Sequence, residues 1–165
     1  MNTLKTFVVG TPAPQGSKRH VGNGRMIESS KKVAPWRQAV AWELAQAKSG
    51  MFTGPVAANI VFYLARPKYH FGTGRNEGKL KDSAPIFSDK KPDLDKLLRS
   101  TLDAITTSGA VVDDAQIVLI NAVKMYANPG QPTGALIELN VLDPSQLALV
   151  HQQGELAAQE ELKAG

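Results

Sequence analysis

Lys91-Pro92-Asp93-Leu94-Asp95-Lys96-Leu97-Leu98-Arg99 is the stretch from which the rest of the chain is read. It has the form of a helix start. An acid stands at the cap position, and Leu94, Leu98, Leu102 and Ile105 then return at helical spacing through about Thr107, with Gly109 as the stop. Immediately afterwards Gly109-Ala110-Val111-Val112-Asp113-Asp114-Ala115-Gln116 sets a second acid pair before a long apolar run. Two acid pairs thus bracket one helix in a chain of 165 residues whose formal net charge is +4. A basic chain that gathers carboxylates in two places has a reason to hold negative charge there, and a divalent cation is the most economical reason.

Working outward, Thr3 to Val9 has the pattern of a strand, ended by Gly10 and the prolines at 12 and 14. Residues 15–30 are polar, basic and glycine-dotted, which predicts a long loop or loose hairpin turning near Val21-Gly22-Asn23-Gly24-Arg25. Lys31 to Ser49 reads as a helix with Trp36, Val40 and Leu44 on one face and Pro35 in its first turn. Both tryptophans, Trp36 and Trp42, are expected to serve packing. Val56 to Arg66 is a strand, Gln116 to Tyr126 a second and Ala135 to Val141 a third, the last two joined as a hairpin through Asn128-Pro129-Gly130-Gln131-Pro132. The result is a single α/β (α+β) domain over residues 1–142, a mixed sheet flanked by helices, followed by a peripheral helical tail over residues 143–165 that Asp143 caps.

Composition narrows the chemistry. There is no cysteine, which removes disulfides, zinc-thiolate sites and cysteine nucleophiles together. No apolar run approaches the roughly 18 residues of a membrane span. The start Met1-Asn2-Thr3-Leu4-Lys5 lacks the layout of a signal peptide, so a cytoplasmic location and no membrane partner are expected. A positive balance suits a polyanionic partner. The region from Pro67 to Lys90, where periodicity is lost, carries Lys68, Arg75, Lys79 and Lys90, with Lys91 just beyond; these are the candidate DNA-binding cations. There Lys68-Tyr69-His70-Phe71 interleaves charge with aromatic rings, the chemistry of backbone neutralisation plus base stacking.

Ordinary helix capping accounts for Asp93 and Asp95 on their own. At about 100° per residue Asp95 falls about 20° from Leu102 and 60° from Leu98, which predicts a half-buried carboxylate at the edge of the apolar face. The Asp113-Asp114 doublet adds a second reason, and alternation directs only one of its two acids to a shared site. Three carboxylates that converge repel one another until a cation neutralises them. With all-oxygen ligands, Mg²⁺ or Mn²⁺ is selected over Zn²⁺. Such an ion beside Lys90, Lys91, Lys96 and Arg99 is the equipment of a phosphodiesterase.

The two motifs together resemble the RusA family of Holliday-junction resolvases. Pro-Asp-Leu-Asp-Lys-Leu-Leu-Arg-x-Thr-Leu-Asp-Ala-Ile from Pro92, then Gly-Ala-Val-Val-Asp-Asp-Ala-Gln-Ile-Val to Val118, is similar to that family's Asp-Leu-Asp-Asn-Leu, Asp-Ala-Leu and Asp-Asp-x-Gln-Val-Val. Upstream, Gly24-Arg25 and the Trp36 helix occupy family-like positions, while about the last twenty residues have no counterpart. The resemblance implies a homodimeric, Mg²⁺-dependent crossover junction endodeoxyribonuclease of DNA recombination and repair, nicking four-way junctions symmetrically. Its metal-binding catalytic acids would be Asp93, Asp95 and Asp114, with Asp113 outside the set. Asp103 matches the family's Leu-Asp-Ala and is expected to be structural, paired with Arg99.

Two positions depart from the family pattern. Lys96 stands where Asn is common, and Arg99 stands where the family has a catalytically important Lys. Arg keeps the charge but presents a planar fork and does not readily deprotonate, which favours phosphate-charge stabilisation at Arg99; Lys96 is the substitute if a proton must move. The competing readings are a metal nuclease of another fold acting on other branched or linear DNA, and a branched-DNA-binding protein without chemistry.

Overall fold

The structure is a computed structural model that describes residues 1–16, 18–20, 26–28, 31–143 and 145. Its elements in chain order are β1 (Thr3–Val9), β2 (Lys18–His20), β3 (Met26–Glu28), α1 (Val33–Ala47), β4 (Val56–Leu64), α2 (Leu94–Thr107), β5 (Ile117–Tyr126) and β6 (Gly134–Val141). Short 3₁₀ turns stand at Lys68–His70, Gly74–Asn76 and Asp114–Gln116. The element types follow the sequence expectation, and the fold is α+β with one mixed four-stranded sheet and two helices.

The strand order corrects one expectation. The sheet runs β1-β6-β4-β5, so β5 and β6 do not pair as a hairpin. Instead β4 lies between them, antiparallel to β6 (Ile60 opposite Ile137) and parallel to β5 (Ile60 opposite Ala122). The physical reason lies in β4, Val-Ala-Ala-Asn-Ile-Val-Phe-Tyr-Leu, which is apolar along most of its length, as a strand flanked on both edges must be. β6 pairs on its other side with β1. Gly134 begins β6 where β1 comes closest: a Cβ there would lie 2.0 Å from the carbonyl oxygen of Val8, so no side chain fits.

One face of the sheet carries Val8, Ile60, Phe62, Ile137 and Leu139 into a core closed by α1 and α2. From α1 come Trp36, Val40 and Leu44; from α2 come Leu97, Ala104 and Ile105. Two α2 residues in this core are polar. Thr101 Oγ1 accepts from Trp36 Nε1 at 3.2 Å and donates to Leu97 O, and Ser100 Oγ donates to Ala13 O at 2.7 Å. The buried face of α2 is therefore centred on Leu97, Thr101 and Ala104. Leu94, Leu98 and Leu102, the stripe expected from the sequence, are only half-buried. Trp36 packs as expected, but Trp42 is 65% exposed on the outer side of α1 and has no packing role.

The segment after β4 is more structured than its composition suggests. Phe71 and Leu80 form a bridge, Gly72 N donates to Lys79 O, and Lys81 N donates to His70 O, making a small excursion with its tip at residues 73–78. Further on, Tyr126 N donates to Ile86 O and Ser88 N to Lys124 O, which lays residues 86–88 along the free edge of β5. β2 and β3 form an antiparallel ladder, as a loose hairpin requires, while its turn at residues 21–25 lies outside the described residues. The tail helix expected after Asp143 does too. Asp143 Oδ1 accepts from Ser145 N at 2.7 Å, the start of the expected cap.

Candidate active site

The acids stand where two loops deliver them beside α2. Asp93 occupies the cap position of α2 in extended backbone conformation, yet its carboxylate makes no capping hydrogen bond. Asp93 Oδ2 instead accepts from Lys96 Nζ at 2.7 Å, one turn along, and the two side chains are 44% and 46% exposed. Capping therefore does not explain this acid. The Lys96 hydrogen bond and charge hold the Asp93 carboxyl below its usual range, Lys91 and Lys124 add to this, and partial burial opposes it. The same contact raises the Lys96 ammonium, and the charge of Asp95 adds to it.

Asp95 is exposed, not half-buried at the edge of the apolar face. The cause is the shift of the buried face described above. With Ser100 and Thr101 inside, successive 100° steps turn Asp95, Lys96 and Arg99 together to the solvent side. Asp103 pairs with Arg37 of α1 at 3.4 Å and not with Arg99, so it ties the two helices together as a structural residue.

The second acid pair sits on the 3₁₀ turn Asp114–Gln116, which packs against α2. The two members divide their work. Asp113 Oδ1 accepts from Ala115 N at 2.9 Å and caps the turn, whereas the exposed Asp114 carboxylate has no hydrogen bond or ion pair among the described residues. Gln116 fixes the turn from its own side chain. Its Nε2 donates to Phe52 O and Gly54 O at 3.0 and 2.8 Å, and its Oε1 accepts from Val112 N at 3.0 Å. The Asp-Asp-x-Gln spacing contained that signal, but only the acids were read from it. Lys124 gave no signal at all. Its Nζ crosses from β5 to donate to Lys90 O and Pro92 O, at 2.6 and 2.7 Å.

The donor set is all oxygen and suits a hard divalent cation. Its placement is another matter: among the described residues no three His, Cys, Asp or Glu side chains gather closely enough to hold a metal. Asp93 is turned to the Lys96 ammonium, which stands in for a cation there. Asp95 and Asp114 are exposed and Asp93 is 44% exposed, and each carries at most one ion pair. Rotamer changes alone do not bring them together within one chain, because Asp93 enters α2 at the end of β5 where Lys124 Nζ meets the Pro92 carbonyl, whereas Asp114 precedes Ile117 at the other end of that strand.

Lys68, Arg75, Lys79, Lys90 and Lys91 are all exposed on the excursion and the turn that follows it. Tyr69 is 64% exposed, but His70 is buried. It stacks edge-on against Tyr69 and Tyr126, with centroids 4.7 Å from each, so it cannot offer a base-stacking surface as the aromatic run suggested. Burial lowers its pKa, followed by the charges of Arg66 and Lys81, and it stays neutral near pH 7.

The Asp93–Lys96 contact makes a direct prediction. Replacing Lys96 by Met returns the Asp93 carboxyl toward its ordinary value, read by carboxyl NMR titration; an unchanged titration counts against the ion pair. The sign for stability follows. Asp93 is depressed in the folded state, so the contribution is full at neutral pH and is lost as pH falls below the ordinary carboxylate range, about 4, through the depressed value.

Residues 9–134 match the family described as endodeoxyribonuclease RusA, and the match takes in both acid pairs, α1, α2 and the strands from β2 to β5. The chain belongs to the RusA endodeoxyribonuclease family, and it is thereby a DNA phosphodiester hydrolase that acts on Holliday junctions. No curated protein matches the chain. Among the described residues no helix is long and apolar enough to cross a membrane.

Proposed function

We propose that the chain is a cytoplasmic, Mg²⁺-dependent resolvase, with Mn²⁺ as a substitute, that acts as a homodimer and opens four-way junctions by paired symmetric nicks in recombination and repair. The observation that carries the site assignment is the uncapped Asp93 carboxylate. It stands at the N-terminus of α2 in a chain of this nuclease family. In this reading Asp93, Asp95 and Asp114 hold the cation, and because Asp114 lies at the other end of α2 within one chain, the homodimer brings Asp114 of one protomer to Asp93 and Asp95 of the other. When bound, it supplies Lewis-acid charge at the scissile phosphate and acidifies a water.

The chain's own residues do the rest. Lys96 and Arg99 share the solvent side of α2 with Asp95, where a phosphate docked against the helix start meets both cations. The planar guanidinium of Arg99 can hold two phosphate oxygens at once and keeps its proton, so its role is to stabilise charge. Lys96 leaves Asp93 as the site closes and turns its ammonium to the phosphate. In-line attack by a water oxygen forms a bond to phosphorus as the bond to the 3′ oxygen breaks; the attacking water gives its proton to solvent and the departing 3′ oxygen takes one from solvent. The products are a 5′ phosphate and a ligatable 3′ hydroxyl. Lys68, Arg75, Lys79, Lys90 and Lys91 neutralise the arms of the junction through backbone contacts, which makes binding steeply salt-dependent. Two protomers offer two sites to a substrate with two-fold symmetry.

The test is a labelled synthetic four-way junction beside a flap and a linear duplex, each with Mg²⁺, with Mn²⁺ and with chelator. Paired nicks confined to the junction and abolished by chelator are expected. Absence of paired nicks across several junction sequences would sink the proposal, and Mg²⁺-independent binding without nicks would favour a junction-binding protein lacking chemistry.

A further inference from the structure

We propose that Lys124 is a positioning residue of this site, holding the turn that delivers Asp93 in the orientation cleavage requires. The inference rests on the nuclease reading above. Lys124 lies in register with Phe62 of β4, on the sheet face that carries the core. A lysine half-buried on such a face needs partners for its ammonium, and an aliphatic residue would pack there without that demand. Its partners are specific: the carbonyls of Lys90 and Pro92, at 2.6 and 2.7 Å.

Those two bonds are the only hydrogen bonds to the backbone of residues 89–92 among the described residues. The Pro92 carbonyl is half of the peptide unit whose N–H belongs to Asp93, and that unit is planar. Holding the oxygen therefore fixes the plane from which Asp93 enters α2. The main chain of residue 124 grips the same segment, since Ser88 N donates to Lys124 O at 3.3 Å. One residue of the edge strand thus anchors residues 88–92 by backbone and side chain together.

The experiment compares Lys124→Met and Lys124→Arg with the wild type. Because a displacement of about 1 Å can cost about a hundredfold, Lys124→Met is expected to lose roughly 30- to 100-fold in kcat on the junction. Junction Kd should stay within about threefold, since no phosphate contact is removed, and the divalent concentration for half-maximal rate should rise. Lys124→Arg, whose fork can span two carbonyls, is expected to recover to within about fivefold of wild type. A merely structural lysine would leave the metal requirement unchanged.

Trypsin reports on the turn without any need for cleavage of DNA. Nicking after Lys90 should be faster by about tenfold or more in Lys124→Met and unchanged in Lys124→Arg, because local opening is governed by the bonds lost. Wild-type rates in Lys124→Met, or equal losses in both variants that track the folded fraction by circular dichroism, would overturn the inference. If Lys124→Met does not fold, Lys124→Gln replaces it, and equality of Gln and Arg variants in rate and trypsin sensitivity overturns it equally. A wild type that never nicks junctions condemns the nuclease reading instead, and the trypsin comparison still decides whether Lys124 holds the turn.

Discussion

Asp114→Asn is expected to abolish junction cleavage while leaving the fold and junction binding intact. The same holds for Asp93→Asn and Asp95→Asn. Each substitution keeps the shape of the side chain and removes one of the charges proposed to hold the cation. The expected loss is on the order of a thousandfold or more, about 4 kcal/mol of transition-state stabilisation. Stability should change little at Asp114, within about 0.5 kcal/mol, because its exposed side chain has no partner among the described residues. Binding should be equal or tighter, because each variant raises the net positive charge facing a polyanion.

The internal control is one residue away. Asp113 caps Ala115 N through Oδ1, a task that Asn performs as well, so Asp113→Asn should retain cleavage within a few-fold, about what intact geometry allows. Single-turnover cleavage and fluorescence anisotropy with a junction substrate measure the two effects separately. Retained cleavage in Asp114→Asn together with loss in Asp113→Asn would exchange their roles. Retained cleavage in all four variants would leave the acids as surface charge and remove the proposed site.

How much of this was legible depended on how far apart in the chain each cause lay. The start of α2 could be read because its signals are local: Asp93 at the cap position, helical spacing from Leu94, Gly109 with φ of 69° just past the end. The buried face of the same helix was misjudged because polar residues fill it. Ser100 and Thr101 enter the core only because Ala13 and Trp36, far away in sequence, complete their hydrogen bonds. That misjudgement carried Asp95 with it.

The relation between β5 and β6 was half right. They do run antiparallel, as a hairpin would, but nothing in a short connecting segment reveals that β4 is inserted between them. The acids stood out as motif residues, whereas the side chains that brace their turns did not. Gln116 reaches back 62 residues to Gly54, a reach that the Asp-Asp-x-Gln spacing marks without showing its target, and Lys124 reaches back 34 to Lys90 through a bond to a backbone carbonyl that leaves no trace in residue pattern.

Trp36→Ala is the substitution expected to damage the fold most. The ring is 2% exposed between α1, β1 and α2, and its loss leaves a cavity that backbone elements on three sides cannot close. Large-to-small changes of this kind cost about 3–5 kcal/mol. For a domain of this size that lowers Tm by roughly 6–20 °C. Trp36→Phe separates packing from hydrogen bonding. Thr101 Oγ1 keeps its own bond to Leu97 O at 2.9 Å, so no buried group is orphaned, and about 1–2 kcal/mol of volume and shape loss is expected. Trp42→Ala, at an exposed position, should stay within about 0.5 kcal/mol. Denaturant melts of the three variants rank these effects directly, and equal losses at Trp36 and Trp42 would contradict the packing described. Because Trp36 touches α2 at Thr101, two turns beyond the acids, its loss should lower cleavage only as the folded fraction falls. A cleavage defect in fully folded Trp36→Phe would instead mean that α1 helps set the position of the helix start, and with it Asp93 and Asp95.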